Sequence, residues 1–165
     1  KCFSISFSLR SSNFFSFKSE LNLDFYFKRD GVLQDLGNTN IAYSPKLIAG
    51  NIISYMPNAN FQVSLLSKFV GKQYMGNIDS ETSVLDSYTQ TDFNVQYTIN
   101  MNSFIKSIEL SGLVNNIFDA DIVSNGYFYT FDDDYSNPGT ITTIEGAGYY
   151  PQAGINFLVG ATVNF

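Results

Sequence analysis

The side chains with most capacity for chemistry cluster in residues 125–139 (NGYFYTFDDDYSNPG). There Tyr127, Tyr129 and Tyr135 offer stacking faces and hydroxyls, and Asp132, Asp133 and Asp134 concentrate negative charge. That mixture suits a ligand-binding rim; the plainer reading is a solvated loop on a hairpin extension. Asp132, Asp134 and Ser136 have the alternate spacing of a calcium loop. The template then needs Gly at its sixth position and Glu at its twelfth, where this chain has Asn137 and Thr143. No metal or cofactor is expected.

Histidine is absent from the chain, so zinc, haem and general-base chemistry lose their commonest residue. A Ser-His-Asp arrangement is impossible, and there is no phosphate-binding glycine motif and no CxxC pair. Two carboxylates alone can serve a glycosidase, but nothing selects a pair, and the chain is expected not to be an enzyme. A net charge of −6 without a basic cluster argues against a nucleic-acid partner. Cys2 is the sole cysteine, which excludes a disulfide within these residues, and it is not expected to carry a lipid anchor. The opening KCFSIS, lacking an initiator Met, reads as the start of a piece of a longer protein.

The elements that must hold these residues are strands. In residues 155–165, Ile155, Phe157, Val159, Ala161, Val163 and Phe165 fall on one face of an extended chain, and Asn156, Leu158, Gly160, Thr162 and Asn164 on the other. A strand between lipid and a polar lumen has this pattern, and about 9 to 11 tilted residues cross the hydrocarbon. A half-buried strand of a soluble sandwich has the same period. The alternation recurs in residues 3–9, 15–28, 46–56, 61–71, 91–99 and 105–114, which makes about seven strands with the last. Connections alternate in length: short at 11–13 (SSN), long at 30–45, short at 56–60, long at 71–89, short at 100–103 and long at 116–152. Outer-membrane barrels pair short periplasmic turns with long extracellular loops, so the expected fold is all-β, an antiparallel transmembrane β-barrel fragment with its carboxy terminus in the periplasm.

Composition agrees. Charged residues are 15% and aromatics 16%, with 16 Phe and 11 Tyr, which suits a lipid-facing wall. Apolar runs are far shorter than the roughly 20 residues of a spanning helix, so a crossing would be made by strands. Inward-facing Lys18, Glu20, Asp24, Lys28 and Lys68 would line a lumen or pair with a plug.

From residue 38 to 165 the chain resembles the carboxy-terminal barrel strands of TonB-dependent outer-membrane receptors of Bacteroidetes type; residues 1–37 keep the strand period alone. The matching segments stand in order: NTNIAYSPKLIAGNIISYMP, VSLLSKFVGKQYMGN with Gly71, Tyr74 and Asn77, LDSYTQTDFNVQY, LSGLVNNIFDADIVSNGYFYTFDD and GAGYYPQAGINFLVGATVNF. The strongest local signature is LVNNIFD at residues 113–119, followed by Tyr149, Tyr150, Pro151 and a strand ending on Phe165. Asn115 and Asn116 are expected to cap strand-end backbone groups. Phe157, Val159, Ala161, Val163 and Phe165 look like the terminal signal read by the barrel-assembly machinery.

The resemblance implies a parent barrel of roughly 22 strands. That parent would import a scarce nutrient such as a siderophore, vitamin, oligosaccharide or peptide. It would carry an amino-terminal plug and a TonB-contacting box that are not visible in these residues, so coupling to TonB would pass through the parent only. The expected partners are outer-membrane lipid, the assembly machinery, and the parent's remaining strands and plug. Two other readings stand beside it. A passive porin would have no plug. A soluble or cell-surface β-sandwich that binds carbohydrate through its Tyr-rich loops would bury the row Phe157, Val159, Ala161 and Val163 under a second sheet.

Overall fold

A computed structural model describes residues 8–17, 23–29 and 32–165. Apart from a single 3₁₀ turn at Glu81–Ser83, its regular elements are strands. In chain order these are β1 (Ser8–Phe17), β2 (Leu23–Arg29), β3 (Val32–Thr39), β4 (Leu47–Asn58), β5 (Phe61–Val70), β6 (Gln73–Tyr74), β7 (Val84–Leu85), β8 (Tyr88–Asn100), β9 (Ser107–Asn115), β10 (Val123–Asp133), β11 (Thr142–Pro151) and β12 (Asn156–Asn164). Six of them form one antiparallel sheet in the order β1-β4-β5-β8-β9-β12. The other six pair as β2–β3, β6–β7 and β10–β11, and each pair sits inside one long connection of the main sheet.

Register decides what each face of the main sheet carries, because directly opposed residues of an antiparallel ladder share a face. Four successive rows on one face are apolar. The first joins Ile53, Leu65, Phe93, Val114 and Phe157, and the second Tyr55, Val63, Val95, Gly112 and Val159. Phe61, Tyr97, Leu110 and Ala161 make the third, and Ile99, Ile108 and Val163 the fourth. The opposite face is mixed: Ser54, Ser64 and Asn94 continue into Leu113 and Leu158, Gln62, Gln96 and Ser111 and then Thr98, Glu109 and Thr162 form polar rows, and Ile52, Leu66 and Asp92 share a further row. Its polar groups bond to one another: the Ser54 and Ser64 hydroxyls lie 2.8 Å apart, and Asn164 Nδ2 donates to Ser107 Oγ at 2.9 Å and to Glu109 Oε1 at 3.1 Å.

The apolar rows have no second layer over them among the described residues. Phe157 is 77% and Val159 83% exposed, and Ile53, Phe93, Tyr97, Leu110 and Val163 are exposed as well. Burial lies elsewhere. The buried apolar residues Val70, Met75, Leu85 and Ile122 belong to the end of the sheet where the long connections emerge. Full burial of Leu85 is worth about 1.5–3 kcal/mol, so this small loop layer is stabilised by its own core.

Three sequence expectations are corrected. The SSN turn does not exist: Ser11, Ser12 and Asn13 are interior to β1, opposite Ile53, Ile52 and Asn51. The segment has no glycine to supply the positive φ of a tight hairpin turn, and ladder pairing outweighs the local turn preference of Ser and Asn. The strand expected over residues 15–28 ends in β1 at Phe17 and resumes as β2, which pairs with β3 rather than with the main sheet. The loop expected over residues 30–45 contains β3. Among the described residues the main sheet therefore has six strands, and the alternation of long and short connections holds from β1 to β12. Asp24 and Lys28, expected on a lumen wall, lie on β2; Lys18 and Glu20 are outside the described residues.

Candidate functional site

The β10–β11 hairpin carries an aromatic ladder. Alternation along β10 sends Tyr127, Tyr129 and Phe131 to one face, where they oppose Gly148, Gly146 and Ile144 of β11. Two glycines make this arrangement possible. A Cβ on Gly148 would lie 2.4 Å from a Tyr127 ring carbon, and one on Gly146 2.4 Å from a Tyr129 ring carbon. Each ring therefore lies across the neighbouring strand over bare backbone, an aromatic–glycine pairing that restores the packing a glycine lacks. Ring centroids are 6.2 Å apart from Tyr127 to Tyr129 and 6.3 Å from Tyr129 to Phe131, with planes within 19° and 16° of parallel. Tyr150 joins at 5.9 Å from Tyr127. Tyr127, Tyr129 and Phe131 are each 50% exposed, so one side of the ladder faces outward.

The other face of the hairpin packs downward. Phe128 meets Gly76 so closely that a Cβ there would come within 2.8 Å of its ring, and Gly126 lies against the Met75 sulfur. Polar ties reinforce the seat: Tyr43 Oη donates to the Gly126 carbonyl at 2.6 Å, Tyr149 Oη to the Thr82 carbonyl at 3.3 Å, and Ser80 Oγ to Glu145. The first and second long connections are clamped too. Asp79 accepts from Asn40 N and Nδ2, and Asn77 accepts from Ala42 N at 2.8 Å through Oδ1 and from Thr39 Oγ1 at 2.8 Å through its carbonyl. All three connections thus form one layer under the ladder.

At the root of the hairpin stands the NNIFD segment. Asn116 adopts φ of 50°, a left-handed conformation that Asn tolerates, and is 2% exposed. Its side chain bonds Ala120 twice, donating to the carbonyl at 2.9 Å and accepting from the amide at 3.0 Å. Its own amide donates to Asp92 Oδ1 at 2.9 Å, and Ile117 N donates to the Thr91 carbonyl at 2.9 Å. Asp119, also at φ of 50°, accepts from Ile155 N at 2.8 Å and so anchors the start of β12. Asn115 Nδ2 donates across to Asn156 Oδ1 at 2.8 Å. The expected strand-end capping takes another form: Asn116 caps loop backbone at Ala120, and Asn115 meets a side chain rather than backbone.

Of the predicted rim residues, Tyr127 and Tyr129 come together in the ladder. Tyr135 does not join them; it lies at the hairpin tip and is 91% exposed. The three aspartates part company. Asp132 turns to the face opposite the ladder and accepts from Thr143 Oγ1 at 2.8 Å. Asp133, on the ladder's own side, accepts from Tyr135 N at 3.0 Å and Ser136 N at 3.1 Å. The Ser136 side chain and these amides hold its carboxyl below the ordinary carboxylate range. Asp134 is exposed. Phe131 and Tyr150 are the ladder members that sequence reasoning missed, although GYFYTF alternates aromatics at every second position. Phe157, Val159, Ala161 and Val163 form the exposed edge row of β12, and the Phe165 ring packs against Phe104 at 5.4 Å.

A hollow of about 680 Å³ opens on the face opposite the apolar rows, lined mainly by apolar groups of Ile48, Ile52 and Leu66, with Lys68 and Asp92 at its margin. Lys68 thus reaches the side on which lumen charges are expected. Comparison of the chain with protein-family models, curated proteins and solved structures finds no match.

Proposed function

We propose that this chain is wall and loop material from the carboxy-terminal part of a TonB-dependent outer-membrane receptor, with the apolar face of β4, β5, β8, β9 and β12 on lipid and the polar face on the lumen. The observation that carries the reading is the set of four apolar rows, two spanning five strands, one four and one three, that no second layer covers among the described residues. In water such a face would be an aggregation surface far larger than a soluble monomer exposes. In a bilayer it is the required exterior. Strands of 9 to 13 residues match the roughly 9 to 11 that cross the hydrocarbon at a tilt. Aromatic residues at one margin, with Phe61 and Tyr97 6.2 Å apart, suit an interfacial girdle.

The sheet leaves β1 and β12 as edges, and unpaired strand groups in hydrocarbon cost several kcal/mol each, so further strands must complete the wall. In the parent, the long connections would face outward and gather the nutrient, a plug would block the lumen, and pulling by TonB would open it. The short β4–β5 and β8–β9 turns and the carboxy terminus would lie in the periplasm. The carbohydrate-binding sandwich is less well supported, because it requires Phe157, Val159, Ala161 and Val163 to be buried and all four are exposed.

Residues 1–165 contain no tryptophan, so a clean test requires only that any tryptophans elsewhere in the parent be replaced. Single tryptophans at Val95 and at Gln96 would be introduced in the parent read from the surrounding DNA, reconstituted with brominated acyl chains. Quenching at position 95 and not at 96 is expected. A chain that folds cooperatively without detergent, with an unquenched, blue-shifted tryptophan at 95, would establish the sandwich instead.

A further inference from the structure

The ladder has a spacing, a charge environment and an open side, and together these specify a ligand. Neighbouring rings are 6.2 and 6.3 Å apart. An extended peptide advances about 6.4–6.8 Å over two residues, so its alternate side chains meet successive rings in register. The charge is one-sided. Residues 107–165 contain seven Asp or Glu and no Lys or Arg. Of the four in the hairpin, Asp132 and Glu145 lie on the face away from the ladder, whereas Asp133 is on the ladder's side and Asp134 is exposed next to it. Asp133 stands at the end of the ladder on the same face as Phe131, held there by the Tyr135 and Ser136 amides.

We infer that the ladder face of β10–β11 docks an extended peptide segment bearing basic side chains at alternate positions. Arg or Lys placed over the outward faces of Tyr127, Tyr129 and Phe131 gains the attraction of a cation for a ring face, and Asp133 and Asp134 at the end of the ladder supply the countercharge. A neutral sugar would use the rings but not the negative charge of Asp133 and Asp134 beside them. An anionic ligand would be repelled by them. The glycines of β11 contribute by letting the rings lie flat, which keeps the platform preorganised before anything binds. The assignment goes beyond the membrane reading and depends on the hairpin alone, so it can fail without that reading failing, and the reverse.

The test uses the full chain in non-ionic detergent and a fluorescein-labelled peptide of sequence Ser-Arg-Ser-Arg-Ser-Arg-Ser, read by anisotropy. Saturable binding that weakens with added salt is expected. An isomer with its three arginines contiguous should bind more weakly, and a Glu-for-Arg version should not bind. Tyr129→Leu and Phe131→Leu should each weaken binding roughly 2- to 5-fold. Asp133→Asn, which preserves the turn-capping oxygen, should weaken it together with Asp134→Asn. The unmodified chain supplies an independent readout, because bound peptide must shift the ring resonances of Tyr127 and Tyr129. Unmoved ring resonances, equal binding of the contiguous isomer, or tighter binding of a neutral hexasaccharide than of the arginine peptide would each overturn the inference.

Discussion

Val95→Arg and Gln96→Arg are adjacent changes of similar size that put the same guanidinium on opposite faces of β8, in the middle of the main sheet. Val95 lies between Val63 and Gly112 in the second apolar row, and its Cγ1 is close enough to Gly112 that a Cβ there would stand 3.0 Å away. No polar group of that row can receive the guanidinium apart from the distant Tyr55 hydroxyl. If the row is at the bilayer midplane, Arg there costs about 2–4 kcal/mol, which lowers the folding equilibrium by roughly 30- to 900-fold. Gln96 opposes Gln62 and Ser111, and Arg at that position can hydrogen-bond on a wet face, with a cost within about 0.5 kcal/mol. The assay is denaturant unfolding of the lipid-reconstituted parent, followed by its heat-modifiable migration on gels. Expected is a large loss of the folded band for Val95→Arg at denaturant concentrations that leave Gln96→Arg and the unmodified protein folded. Two variants that both unfold like the unmodified protein would refute the assignment of faces, since the apolar rows would then be in contact with water.

Two other outcomes follow from the loop layer. Asn116→Ala removes both bonds to Ala120 and places Ala at positive φ, for a cost of about 3 kcal/mol; Asn116→Gly relieves the backbone and should cost about 1 kcal/mol less. Amide exchange at Ala120 and Ile117 would report both, and a Gly variant that opens more readily than the Ala variant would contradict the backbone share. Acidification should open the hairpin tip late: the Asp133 carboxyl is held below its ordinary value by Ser136 and the turn amides, so its contribution is fully present above about pH 4 and is lost as pH falls through the lowered value. Exchange of the Tyr135 and Ser136 amides against pH would show this, and opening already complete at pH 5 would sink it.

Much of the main sheet was legible because its signal is periodic. The faces of β5, β8 and β12 follow directly from alternation of Phe61, Val63 and Leu65, of Phe93, Val95 and Tyr97, and of Phe157, Val159 and Ala161. The failures occurred where local and long-range preferences disagree. Ser11–Ser12–Asn13 has turn composition and lies in a strand, because it continues an unbroken ten-residue ladder with β4 that a local turn would interrupt. The β2–β3 hairpin was missed although Arg29 opposes Val32 and the two residues between them, Asp30 and Gly31, are a favoured hairpin-turn dipeptide. Rim chemistry was half legible: the tyrosines at alternate positions foretell a shared face, whereas the acidic run foretold a cluster and Asp132 and Asp133 instead support the hairpin's own backbone and Thr143.

By itself the amino-acid sequence determined the two-residue period, the polarity of each face and the alternation of short with long connections, because all three are properties of neighbouring residues along one chain. Tertiary structure alone decided that the apolar faces of five strands align into continuous rows, that three separate connections interlock around Met75, Leu85 and Ile122, and that Tyr127 and Tyr129 lie flat over Gly148 and Gly146. Those depend on register, and a register is chosen by the sum of pairings across strands that are distant in sequence, where a slip of one residue would exchange the two faces completely.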